Sequence, residues 1–283
     1  MPRTPAVRSA SAAACAAVLV AASPALPVHA AAQALPADGD GAVARLNASP
    51  RHGAWVKVDA GGGDAVDAWV VYPERADAAP VVLVIHEIFG MSDWVRSVAD
   101  QLAAEGYIAI APDLLSGKGP GGGGTASLDP QQVGRAIRDL DRDEINRRLR
   151  ATGTYALALP AAGERIGVVG YCWGGSSAWL LAVDWADLDA AVIYYGTSPE
   201  SGYENVHAPV LGLYGGNDNR VTATIPAAEE AMGRLGKVYR PHVFQGAGHG
   251  FLRNQSGQDG ANLRATEQAW PLTVEFFRRY LGR

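Results

Sequence analysis

Cysteine is nearly absent from this chain: 283 residues hold two, Cys15 and Cys172. That excludes a small fold stapled by several disulfides. Positive charge is also short. Lys and Arg number 24 against 29 Asp and Glu, the formal charge is −5, and no basic cluster stands out, which argues against a nucleic-acid surface. No apolar run approaches the roughly 20 residues that a bilayer-spanning helix needs, so no stable membrane anchor is expected. The six His are scattered, without H-x-x-x-H or H-E-x-x-H spacing, and no metal site is expected. In "SGKGPGGGGT" Gly119 follows Lys118, where a phosphate-binding loop needs Ser or Thr. That run reads as a flexible loop over the strand ends, and no cofactor is expected.

What is present begins with a leader. Arg3 and Arg8 precede the small-residue apolar stretch 11–22, Pro24 and Pro27 break it, and Val28-His29-Ala30 fits a small-x-small cleavage site. Residues 1–30 therefore read as a signal peptide, and the protein as exported, periplasmic or secreted. Losing them removes two positive charges and no acid, which takes the formal charge from −5 to −7. It also removes Cys15 and leaves Cys172 as the sole thiol, unable to form an internal disulfide. Residues 31–52 lack periodicity and read as a linker before a single domain, 53–283.

Within that domain "AWVKVDAGGGDAVDAWVVYP" predicts a hairpin turning at Gly61-Gly62-Gly63. Buried strands are expected at 81–85, 107–111, 166–171, 190–195, 210–214 and 239–244. Helices are expected at 92–104, 130–150, from Gly174 to about 183, 226–235 and 263–281. Strand and helix alternate, which predicts an α/β fold with a mainly parallel central sheet and helices on both faces.

Reactive groups in such sheets gather at the carboxyl ends of strands. Four ends stand out. Cys172 sits in "GYCWGG", a small-x-nucleophile-x-small turn between strand and helix. Asp218 follows in "GGNDNR" and His249 in "GAGHGF", giving the order nucleophile, acid, histidine. Glu87 lies in "HEIFG". Glycines in the turn let strand and helix approach, and the helix start offers the Trp173 N–H, joined by that of Ile88, as an oxyanion site. Plainer roles stand beside these. Cys172 could be a small core residue, Asp218 a loop cap with Asp113 and Asp189 as rival acids, and Glu87 a solvated acid. His86 reads as packing at a strand end.

"HEIFG", "APDLL", "GYCWGG", "GGND" and "GHGF" resemble the dienelactone hydrolases (carboxymethylenebutenolidases) over residues 55–282. The resemblance implies an α/β-hydrolase fold, a Cys172–Asp218–His249 triad, and opening of a cyclic enol ester through an acyl-enzyme. It implies that Glu87 helps take the thiol proton when an anionic substrate binds. It also implies that Arg253, four residues after His249, binds the substrate carboxylate. A second family Arg is missing: Gly117 stands near its place, with Lys118 next. A monomeric hydrolase of small lactones or enol esters is expected. Its alternatives are a broad carboxylesterase or thioesterase with the same triad, and a catalytically silent binding domain.

Overall fold

The computed structural model describes residues 1, 2 and 34–282. Apart from its first two residues, the expected leader 1–30 lies outside the described residues, as do 31–33 of the expected linker. The rest of that linker is corrected. Residues 42–48 form helix α1 (Ala42–Ala48), and Ala42 is buried in the core. The composition of 31–52 hid this, because the segment is held by donors from distant side chains rather than by a periodic apolar face of its own.

The hairpin forms as expected. β1 (Gly53–Asp59) and β2 (Ala65–Val71) pair antiparallel, with Trp55 opposite Trp69. β3 (Ala79–Ile85) follows, then α2 (Asp93–Ala104), whose first turn is capped by the Ser92 hydroxyl accepting from the Val95 N–H. Next come β4 (Ile108–Pro112) and helices α3 (Pro130–Arg138) and α4 (Arg142–Leu157). The single helix expected at 130–150 is thus two. Asp141 ends the continuity: its carboxylate accepts from the N–H groups of Asp143 and Glu144 and starts a new helix.

β5 (Ala162–Tyr171), α5 (Trp173–Asp184), β6 (Ala190–Tyr194), β7 (Val210–Gly215) and the short α6 (Asn219–Thr222) complete the middle of the sheet. α7 (Ile225–Arg234), β8 (Tyr239–Phe244) and α8 (Ala261–Leu281) close the chain. The eight strands run in the order β1-β2-β4-β3-β5-β6-β7-β8. From β4 to β8 every neighbouring pair is parallel.

A parallel sheet covered on both faces needs strands that are apolar throughout. β3 shows why the pattern works. Val81, Leu83 and Ile85 enter a core layer with α4, α5 and α7, while Val82 and Val84 enter the opposite layer with α2 and α8. The residues chosen for chemistry from the sequence sit just past the carboxyl ends of β3, β5, β7 and β8, so the topology delivers them to one edge of the sheet.

Candidate active site

The turn from β5 into α5 sets Cys172 at φ 57°, a left-handed conformation that a side chain rarely adopts. Close packing imposes it. A Cβ at Gly170 would meet Gly174 O at 2.0 Å, and one at Gly174 would meet His86 O at 2.3 Å. The Cys172 N–H donates to Tyr194 O at 3.0 Å, and its carbonyl accepts from Gly175 N and Ser176 N as α5 begins. Backbone contacts therefore present the thiol at the apex of the turn.

His249 Nε2 lies 3.0 Å from Cys172 Sγ, and His249 Nδ1 lies 2.5 Å from Asp218 Oδ2. Asp218 is buried, at 8% exposure, so its charge is held where the ring can use it. The loops carrying acid and histidine are bonded to each other. Gly216 N donates to Phe244 O, and Asn217 N to Ala247 O. Gly215 is bare because a Cβ there would strike Gly248 O at 2.5 Å. The structure thus brings Cys172, His249 and Asp218 into one line. The rival acids are employed elsewhere: Asp189 pairs with Arg165, and Asp113 accepts from Thr125 N and Thr125 Oγ1.

Glu87 is 3% exposed beside this line. Burial lifts its carboxyl from 4.5 to about 7, against the pull of Arg253 and of the Tyr195 hydroxyl. Burial also pushes the Cys172 thiol up, helped by the Glu87 charge; the amides of Trp173 and Ile88 and the Arg220 guanidinium pull the other way. Those two amides are the ones nominated from the sequence as an oxyanion site, and both face the sulfur.

The loop carrying Glu87 and Ile88 is pinned from below. Arg148, buried in α4, donates from Nη1 to Leu114 O at 2.8 Å; Leu114 N donates to His86 Nε2 at 3.3 Å; His86 Nδ1 in turn meets Glu87 O at 2.9 Å. Burial lowers the pKa of His86, consistent with a neutral ring that accepts at one nitrogen and donates at the other. His86 also stacks on Trp173. It is a packing residue, as read. The Gly-rich run, read as a flexible loop, is anchored: Asp113 holds Thr125, whose hydroxyl accepts from Met91 N at 3.1 Å.

Arg253 reaches the site. Its Nε is 3.5 Å from Glu87 Oε2, and its guanidinium lies over the exposed Phe89 ring at 4.6 Å. Lys118 does not reach it, since its Nζ sits 2.8 Å from Glu144 Oε1. Three neighbours were missed in the sequence. Phe89 is the platform under Arg253. Tyr195, at φ 40°, packs edge-on to His249 at 5.1 Å and faces Glu87. Arg220 sends its charge to Cys172, and its place two residues after Asp218 was the available signal. Nothing in "VIYYG" marks Tyr195 as more than core. Among the described residues no cluster of three His, Cys, Asp or Glu could hold a metal ion.

Comparison with known proteins bears on this geometry. The model of the dienelactone hydrolase family matches residues 66–281. A carboxymethylenebutenolidase of Pseudomonas putida is 33% identical over 205 residues, spanning 69% of this chain and 84% of that protein. Among solved structures, a dienelactone hydrolase from Anabaena variabilis superposes with a TM-score of 0.61 at 24% identity, covering 81% of this chain and 98% of that one. A dienelactone hydrolase-like promiscuous phosphotriesterase from metagenomic libraries gives a TM-score of 0.71 at 23% identity, covering 81% of this chain and 98% of that one. These structures share the α/β-hydrolase fold.

Proposed function

The chain belongs to the dienelactone hydrolase family and is a hydrolase; on that premise we propose that it opens small lactones and enol esters through a thioester on Cys172. One observation carries the reading: the unbroken line from Cys172 Sγ to His249 Nε2 to Asp218 Oδ2, at 3.0 and 2.5 Å.

The thiol rests protonated, because burial and the Glu87 charge both disfavour the thiolate. A substrate carboxylate that pairs with Arg253 competes for the guanidinium now beside Glu87. Glu87 then favours its protonated form and takes up the thiol proton, with His249 Nε2 as the second base within reach. The thiolate attacks the ester carbonyl. The carbonyl oxygen becomes negative and is received by the Ile88 and Trp173 amides. The carbon–oxygen bond breaks, and the enolate leaves and takes up the proton now held by Glu87. Water, deprotonated by His249, then cleaves the thioester and releases the acid and the thiol.

A broader esterase or thioesterase reading keeps the same steps. It is favoured by Gly117, which has no side chain to bind a carboxylate, and by Lys118, which is occupied by Glu144. Steady-state rates on dienelactone, a nitrophenyl ester and an acyl thioester separate the two: a preference for dienelactone supports the first, and equal rates support the second. Arg253→Ala is expected to raise KM for a carboxylate-bearing lactone by roughly tenfold, the loss of one charged pair of hydrogen bonds, and to leave a neutral ester unchanged. An equal effect on both would return Arg253 to a structural role.

We further propose that the protein is exported. The basis is the leader pattern of residues 1–30. Expressed in a bacterium, it should be recovered outside the cytoplasm with an intact mass lower by about thirty residues; a chain still beginning at Met1 would sink this.

A further inference from the structure

Residues 34–39 precede the segment matched by the family model, and they are held more tightly than a connecting segment requires. Four successive carbonyls each accept a side-chain donor: Ala34 O from Gln101 Nε2 at 3.0 Å, Leu35 O from Arg45 Nη2 at 3.2 Å, Pro36 O from Gln255 Nε2 at 2.9 Å, and Ala37 O from Trp94 Nε1 at 3.1 Å. Two of the donors belong to α2, one to α1, and one to the loop after His249. Pro36 is buried, and Leu35 packs against the core layer of α2 and α8.

The segment then reaches Arg253. Gly39 N donates to Arg253 O at 2.8 Å. The bare Gly39 backbone also lies against the Arg253 side chain: a Cβ there would stand 3.4 Å from Cγ and 3.5 Å from Nε. Arg253 is thus bounded by Phe89, by Glu87 and by Gly39. A long cationic side chain has many rotamers to lose, and a wall that removes the unproductive ones improves binding of its partner without touching that partner.

We infer that residues 34–39 are a positioning strap of the active site, which seats Arg253 between Phe89 and Glu87 and so sets the affinity for a substrate carboxylate. The inference rests on the reading of Arg253 as the carboxylate anchor. The strap touches no reacting atom, so it acts on binding of the charged group and leaves the chemical step alone.

The test uses the nitrophenol monoester of succinic acid against nitrophenyl butyrate, substrates of similar length that differ in the terminal carboxylate. Gly39→Leu adds carbons that must displace Arg253, and Gln255→Leu releases Pro36 O. Each is expected to raise KM for the charged ester by about fivefold, with kcat and the butyrate KM within about twofold of the parent. Gly39→Ala, whose Cβ meets Arg253 at an ordinary contact distance, should behave as the parent. Arg253→Ala is run beside them. If it is charge-selective and the strap variants are not, the strap inference is overturned while the anchor stands. Equal effects of the strap variants on both esters overturn it too, as general loosening. If Arg253→Ala is itself charge-blind, the anchor reading fails and the strap inference falls with it.

Discussion

Cys172→Ala is expected to lose ester hydrolysis by on the order of 10³-fold or more, with the fold intact. The size follows from what remains. Alanine cannot form the thioester, and water would have to attack the ester directly, with only the Ile88 and Trp173 amides and His249 to help. The substitution keeps a Cβ, so the strained turn at φ 57° gains no new contact and loses only sulfur. Thermal melting should therefore change little, which separates lost chemistry from lost structure. His249→Ala should show a loss of similar scale, because the two side chains act as a unit and their effects do not add. The same pair tests whether the domain is a silent binding module: the parent thiol should react with an alkylating reagent and turn over ester, whereas a silent domain would do neither. Near-normal turnover by Cys172→Ala would refute the thioester mechanism outright.

How much of this the sequence revealed depended on whether a feature was local. The "GYCWGG" turn could be read because its small-x-nucleophile-x-small pattern is local, although its glycines also answer to the ends of β3 and β6 on either side. The hairpin at Gly61-Gly62-Gly63 and the apolar strands were equally local. The helix break at Asp141 is readable in principle, since Asp141-Arg142-Asp143-Glu144 carries a capping signature, but no Gly or Pro falls between Arg135 and Thr152 to mark it. The strap was not readable. Its partners, Trp94, Gln101 and Gln255, lie far along the chain, and its own contribution is backbone carbonyls, which every residue has. Tyr195 was hidden for a related reason: a buried aromatic at a strand end looks the same whether it packs against a core residue or against Glu87. Arg253 was found through the family resemblance, which also showed the second Arg to be missing near Gly117, and Lys118 beside that place turns to Glu144.

Glu87→Gln should separate the stability of the fold from its activity. The carboxyl is raised from 4.5 to about 7, so the folded state holds its proton more tightly than the unfolded chain does. The sign follows. Below about pH 4.5 both states are protonated and Glu87 carries no penalty; from there to about 7 the unfolded chain ionises while the folded state keeps its proton, so stability falls, and it levels off once the folded carboxyl ionises. The rise from 4.5 to about 7 corresponds to roughly 3 kcal/mol once both states are ionised above pH 8. Gln keeps the size and never ionises. The variant should therefore match the parent in denaturant titrations near pH 4 and exceed it by up to about 3 kcal/mol near pH 9. Turnover should move the other way, falling by roughly 10²-fold as a base beside the thiol is lost, and the acid limb expected of the parent near pH 7 should vanish from kcat/KM. The free thiol gives a third reading. The Glu87 charge disfavours the thiolate, so removing it should make Cys172 alkylate faster at neutral pH while catalysis slows. A resting enzyme whose base also suppresses its nucleophile predicts that opposition. Slower alkylation, or a stability gain that does not depend on pH, would show that Glu87 is neither the buried acid nor the proton acceptor described.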